Sequence, residues 1–115
     1  FKTIPFLLLI IIVTSLQSCS QYGYEANLEV TVKGLLSGNP RSGLLVQVFY
    51  SREDASQLFD PVTPVLETNE WGEVFIYGLD PGINYYIRID ALLNTSIKRS
   101  GQLRSGANNR TVRIL

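Results

Sequence analysis

Cys19 is the only cysteine among 115 residues, and no histidine stands anywhere in the chain. A thiol or hydroxyl nucleophile needs a neighbouring base, and the usual zinc and copper sites need imidazole or several thiolates. Nucleophile–imidazole pairs and those metal centres are therefore excluded. Carboxylates are the remaining groups for acid–base or metal chemistry, and Asp54, Asp60, Glu67, Glu70, Glu73 and Asp80 fall in or beside predicted loops. None shows the D-x-D-x-D-G spacing that cages calcium, so they read as solvated loop acids. The expectation is a chain with no catalytic residue, no metal and no cofactor.

Ten basic and ten acidic residues leave a net charge of zero, which gives no overall attraction for nucleic acid. The charge is nevertheless uneven. No acid follows Asp90, whereas Lys98, Arg99, Arg104, Arg110 and Arg113 do. Two readings stand: these cations pair across strands with earlier acids, or they form a basic face toward lipid phosphates, an anionic glycan or an acidic protein. Phe75, Tyr77, Tyr85 and Tyr86 sit in strand-like runs and suit core or cross-strand packing. Trp71 sits in a turn and is the aromatic expected to be exposed, so it joins the five cations as a candidate partner contact.

At the N-terminus Lys2 precedes an apolar block, Ile4 to Val13, followed by Thr14-Ser15-Leu16-Gln17-Ser18-Cys19. A basic start, a short apolar block and small residues before a cut describe a secretory signal. The block is too short to cross a hydrocarbon core of about 30 Å. Leu16-Gln17-Ser18-Cys19 resembles the bacterial lipobox, in which the chain is cut before a cysteine that then carries acyl chains. That resemblance implies a signal peptide over residues 1–18, a lipidated tether over 19–25 and a folded domain over 26–115. It also implies lipidation at Cys19, a membrane partner through the anchor, and a cell-envelope location on the outer membrane, with the periplasmic or surface face left open. A sole cysteine allows no intrachain disulfide, and acylation removes a free thiol from an oxidising compartment.

The elements that must position the candidate contacts are short. Leu28-Glu29-Val30-Thr31-Val32-Lys33 alternates strictly, so Leu28, Val30 and Val32 face inward and Glu29, Thr31 and Lys33 outward. Leu44 to Tyr50 reads as a central strand, with Val46, Val48 and Tyr50 on one face and Leu45, Gln47 and Phe49 on the other. Ala55 to Phe59 has room for one helical turn. A short strand, Val65 to Thr68, leads into Val74–Tyr77 and Tyr85–Ile89, each preceded by a turn cluster. A weak strand is expected around Ser96 to Leu103, a loop to Asn109, and a closing strand over Thr111 to Leu115. Short strands at regular spacing with Gly and Pro turns predict an all-β, seven-stranded antiparallel Greek-key sandwich, with a small barrel as the competitor.

Three stretches resemble the transthyretin-like group of sandwiches, which includes carboxypeptidase regulatory-like and Cna protein B-type domains. They are Leu28–Val32 leading to Gly38-Asn39-Pro40 and Gly43; Thr68-Asn69-Glu70-Trp71-Gly72-Glu73-Val74-Phe75-Ile76; and Gly78-Leu79-Asp80-Pro81-Gly82-Ile83-Asn84-Tyr85-Tyr86. The group includes a hydroxyisourate hydrolase whose site depends on histidines, which this chain lacks. Some Cna B-type members close a Lys–Asn isopeptide bond, for which Lys33 and Asn108 or Asn109 are the outline match, although parity turns Lys33 outward. The expected role is a lipid-anchored, non-enzymatic binding or scaffolding module. The alternative is an accessory subunit of an envelope transport or adhesion complex.

Overall fold

The computed structural model describes residues 25–115; the expectations for residues 1–24, Cys19 included, lie outside them. The described residues form an all-β sandwich of seven strands with one short helix. The first strand, β1 (Ala26–Gly34), alternates as its sequence predicts: Ala26, Leu28, Val30 and Val32 are buried, while Asn27, Glu29, Thr31 and Lys33 are half-buried. It lies in the middle of a three-stranded sheet, between β4 (Glu73–Leu79) and β7 (Gly106–Ile114). The pairing with β4 is antiparallel, and the pairing with β7 is parallel, in register from Ala26↔Gly106 to Gly34↔Ile114. The rest of the domain is thus the crossover that a parallel pair requires.

The second sheet is antiparallel, in the order β3 (Leu66–Glu67), β2 (Leu45–Phe49), β5 (Asn84–Asp90), β6 (Thr95–Gln102). Its inward residues, Val46, Val48, Tyr85, Ile87 and Ile89, meet Leu28, Val30, Val32, Val74, Ile76, Val112 and Ile114 from the first sheet in one core. Each large aliphatic side chain so buried contributes about 1.5–3 kcal/mol.

Three places depart from the sequence pattern. Phe49 follows the predicted parity onto the outer face of β2, yet it is fully buried. The helix α1 (Arg52–Gln57) packs on that face of β2 and β5 and buries Ala55 there. Ser51 caps α1 by accepting from the Asp54 N–H at 3.1 Å. Arg88 on β5 closes the other end, donating to the Ala55 and Ser56 carbonyls and to Asp90. Tyr50, predicted inward, is about half exposed and leans its ring on Tyr85.

The second departure is β7, which starts at Gly106 and not near Thr111. Residues 106–109 have no strand preference of their own; pairing with β1 overrides it. Buried Asn108 supplies the missing local order, its amide donating to the Asn27, Arg104 and Gly106 carbonyls and its oxygen accepting from the Arg104 N–H. The third is that one pair of strands is parallel in a sandwich expected to be antiparallel throughout.

The turn from β3 to β4 presses on β1. Gly72 takes φ +75°, its carbonyl accepts from the Val32 N–H at 2.8 Å, and a Cβ there would stand 2.5 Å from the Val32 carbonyl oxygen. Gly78 has the same φ with nothing within 4 Å. Gly78→Ala is therefore expected to lose only the cost of a left-handed non-glycine residue, about 1 kcal/mol, and Gly72→Ala about 2–3 kcal/mol. Urea denaturation of both variants checks this, and equal losses would show that the approach to β1 does not limit the site.

Candidate anion-binding cleft

β6 is the edge of one sheet and β7 the edge of the other, and both lie on the same side of the sandwich. Between them runs an open cleft of about 600 Å³. Lys33, Lys98, Arg99, Arg110 and Arg113 line it together with Leu35, and no acid does. Four of the five cations singled out after Asp90 are therefore brought together, and Lys33, 65 positions upstream of Lys98 in the chain, joins them.

Each is placed by its strand. Lys98 stands opposite the buried Ile87, so it points inward at an edge, where its aliphatic stem can lie along the core and its ammonium can reach water. Arg110 stands opposite Val30, also inward, and donates from Nε to the Ser100 carbonyl and from Nη1 to the Asn109 carbonyl. It ties the two edge strands while keeping its charge in the cleft. Lys33 and Arg113 are register partners on adjacent strands. Strands sit about 4.8 Å apart, so two like charges share a span where repulsion costs stability unless an anion enters.

The expected pairing with earlier acids does not occur for these residues: among the described residues the one ion pair within 4.0 Å is Arg88–Asp90, at 3.0 Å. Burial pushes the Asp90 carboxyl up, but the Arg88 guanidinium and the Thr95 hydroxyl outweigh it and hold it below its ordinary value. Arg104 lies apart, in the β6–β7 turn beside the start of β1. Trp71 is exposed, as expected, but stands on the β3–β4 turn, where Asn69 accepts from the Trp71 and Glu73 N–H groups. The structure brings neither residue into the cleft. It also keeps Lys33 from Asn108 and Asn109, the outline isopeptide partners: β1 pairs Leu28 with Asn108 and Glu29 with Asn109, which leaves Lys33 four or five residues, roughly 13–16 Å, along the strand.

A second, smaller hollow of about 180 Å³ lies on the outer face of the three-stranded sheet, between Glu29, Phe75, Tyr77 and Asn109. Glu29 also meets Glu73, the first residue of β4, on that face. A hydrogen bond to Glu73, then partial desolvation, then the charge of Glu73 raise the Glu29 carboxyl above its ordinary value. With its amide oriented to donate, Asn109 reaches Glu29 at 3.0 Å. Carboxyls in direct contact leave no room for the roughly 5 Å or wider separation used in glycoside hydrolysis. Among the described residues no three His, Cys, Asp or Glu side chains converge as metal ligands.

The fold and the cleft define an all-β sandwich with a cationic edge. No protein-family model and no curated protein matches the chain. Among solved structures it is similar to the dioxygenase domain of a dioxygenase carbohydrate-binding protein fusion from the cellulolytic bacterium Streptomyces sp. SirexAA-E. The TM-score is 0.51 at 12% identity, over 81% of this chain and 82% of that one. At that identity the likeness shows the fold alone.

The two carboxylate environments have opposite signs in pH. Because folding raises Glu29 above 4.5, stability falls as pH rises through its folded value; because folding lowers Asp90 below 3.8, the stability Asp90 supplies is present above 3.8 and is lost on acidification through its folded value. Glu73→Gln is expected to match the parent in acid and to melt higher than it near neutral pH. Melting curves from about pH 4 to 7 test this; parallel curves would show that Glu73 does not raise the Glu29 carboxyl.

Proposed function

We propose that this chain is a lipid-anchored outer-membrane protein whose transthyretin-like sandwich is a binding module without catalytic activity, directed at an anionic group. The observation that carries the reading is the cleft at the β6/β7 edge, where five cations converge with no acid among the lining residues. Guanidinium groups in such a cleft suit phosphate, sulfate or carboxylate oxygens through paired hydrogen bonds. The anchor rests on Leu16-Gln17-Ser18-Cys19 after the apolar block. Acyl chains at Cys19 would hold the domain at the membrane, where anionic glycans and lipids are concentrated.

A second reading is favoured by the edges themselves. β6 and β7 present unpaired backbone groups beside the cations, so an acidic strand from an envelope complex could add to either sheet, which makes this chain an accessory subunit.

Two measurements test the proposal. Intact mass and fractionation of the native protein are expected to show acylation at Cys19 and recovery with outer membranes; unacylated protein in the soluble periplasm would overturn the anchor. Retention on an immobilised sulfated or phosphorylated glycan is expected to fall about ten-fold or more when Lys98→Glu and Arg113→Glu are combined, and to change little in Arg104→Glu. Equal loss in all variants would mean that net charge alone is read, and not the cleft. Stoichiometric recovery of a protein partner with no glycan retention would favour the subunit.

A further inference from the structure

The cleft opens at one end of the sandwich, and that end carries leucines that the core does not use. Leu36 in the β1–β2 loop, and Leu92 and Leu93 in the β5–β6 loop, are 93%, 96% and 93% exposed. The two loops belong to one surface. The Leu35 N–H donates to the Ile114 carbonyl, and the Arg41 guanidinium donates to the Leu115 carbonyl. Arg41, Leu92, Leu93 and Leu115 then line a single hollow of about 310 Å³. Leu35 in turn lines the basic cleft, so apolar loop tips and cations are continuous. Of the acids at this end, Glu67, Glu70 and Glu73 lie on the β3–β4 side, away from the β6/β7 edge, and Asp90, at the base of the β5–β6 loop opposite Thr95, is paired with Arg88 at 3.0 Å.

We propose that Leu36, Leu92 and Leu93 insert into the headgroup–acyl boundary of an anionic bilayer while Arg41, Lys33 and Arg113 contact its phosphates. Isolated leucines at the tips of separate loops protrude as points, which a fluid apolar phase accommodates without a matching groove. The ring of cations selects a surface with negative charge, and each basic residue there adds to the attraction within a Debye length. This contact differs from the lipid anchor. The chain enters the domain at Ala26, at the opposite end of β1, so the nine residues of β1 separate the two by about 30 Å. With both engaged the sandwich lies along the membrane on its β6/β7 edge, and the cleft faces lipid phosphates. The part of this inference that concerns the cations rests on the anionic reading of the cleft; the part that concerns the leucines does not.

The experiment uses the native acylated protein, in which Cys19 is blocked, with Leu92→Cys carrying an environment-sensitive fluorophore. Ser56→Cys, on the exposed helix that covers the outer face of β2 and β5, away from the leucine loop tips, carries the same label as the control. The protein is placed in vesicles containing lipids that bear nitroxide quenchers, once with phosphatidylglycerol and once with phosphatidylcholine alone. The expected result is a blue shift and loss of most emission at position 92 in the anionic vesicles, with little change at position 56. Adding Leu36→Ser and Leu93→Ser restores the emission. Unquenched label at position 92 in both lipids overturns the proposal, as does crosslinking of position 92 to a protein partner in native envelopes without quenching. Equal quenching in both lipids keeps the insertion and overturns the selection for a surface of net negative charge, and with it the anionic reading of the cleft at this surface. Should mass show no acylation at Cys19, the labelled protein with Cys19→Ser added to preformed vesicles gives the same readout, so failure of the anchor and failure of the loop tips remain separate.

Discussion

The parallel pairing of β1 with β7 is the constraint on which the rest of the molecule depends. It joins the two ends of the domain over the full length of β1, Ala26 to Gly34. Such a pair returns nothing until the intervening chain has been closed, so its loop entropy must be offset by the core that the closure creates. That core is the one between the sheets, with Val30 and Val32 of β1 against Ile87 and Ile89 of β5. The same pairing sets the functional geometry. By making β7 an edge it leaves Arg110 and Arg113 beside β6, and by matching Lys33 with Arg113 it doubles the charge at the mouth of the cleft.

Cations on edge strands have a competing explanation, because lysine and arginine there discourage edge-to-edge aggregation. Lys98 and Arg99 on β6, and Arg110 and Arg113 on β7, would serve that purpose. Lys33 does not fit it. It stands on the central strand of its sheet, where no edge needs protection, and its register partner is another cation. Arg110 is also turned between the sheets and bonded to Ser100, which fixes its charge in the cleft and not along the free edge. Aggregation defence accounts for where Lys98, Arg99 and Arg113 lie; their convergence with Lys33 and Arg110 is what favours a ligand.

Much of the scaffold was legible because its information is local. The alternation of β1 and the turns before β4 and β5 are short-range patterns, and the exposure of Trp71 follows from its place in a turn. What stayed hidden depends on contacts between distant residues. The burial of Phe49 needs α1 packed on the outer face of β2, whereas the sequence offered only one helical turn, over Ala55 to Phe59 and not Arg52–Gln57, with nothing to say what it covers. The early start of β7 needs β1 as a template and Asn108 as a turn lock. The Glu29–Glu73 contact joins an outward strand residue to the first residue of β4, and only the register of β1 against β4 reveals it. Lys33 was read correctly as outward, but nothing in its own surroundings pointed to Lys98.

The distribution of apolar surface gives the two ends of the sandwich different characters. At the end where the chain enters, the β4–β5 turn is tied down: the Asp80 N–H donates to the buried Tyr85 hydroxyl, and the Gly82 N–H donates to the Leu103 carbonyl. Leu79 and Leu103 are buried beneath that turn. At the other end the Thr68 hydroxyl holds the β1–β2 loop, accepting from the Leu44 N–H and donating to the Arg41 carbonyl, and the Ala91 N–H donates to the Asn94 carbonyl across the β5–β6 loop. The loops there are fixed, and yet Leu36, Leu92 and Leu93 remain outside the core. A fixed loop that presents a leucine to water gains nothing from the fold for doing so. The proposed contact with an anionic lipid surface rests on that arrangement, apolar points beside a cationic cleft at one end of the sandwich.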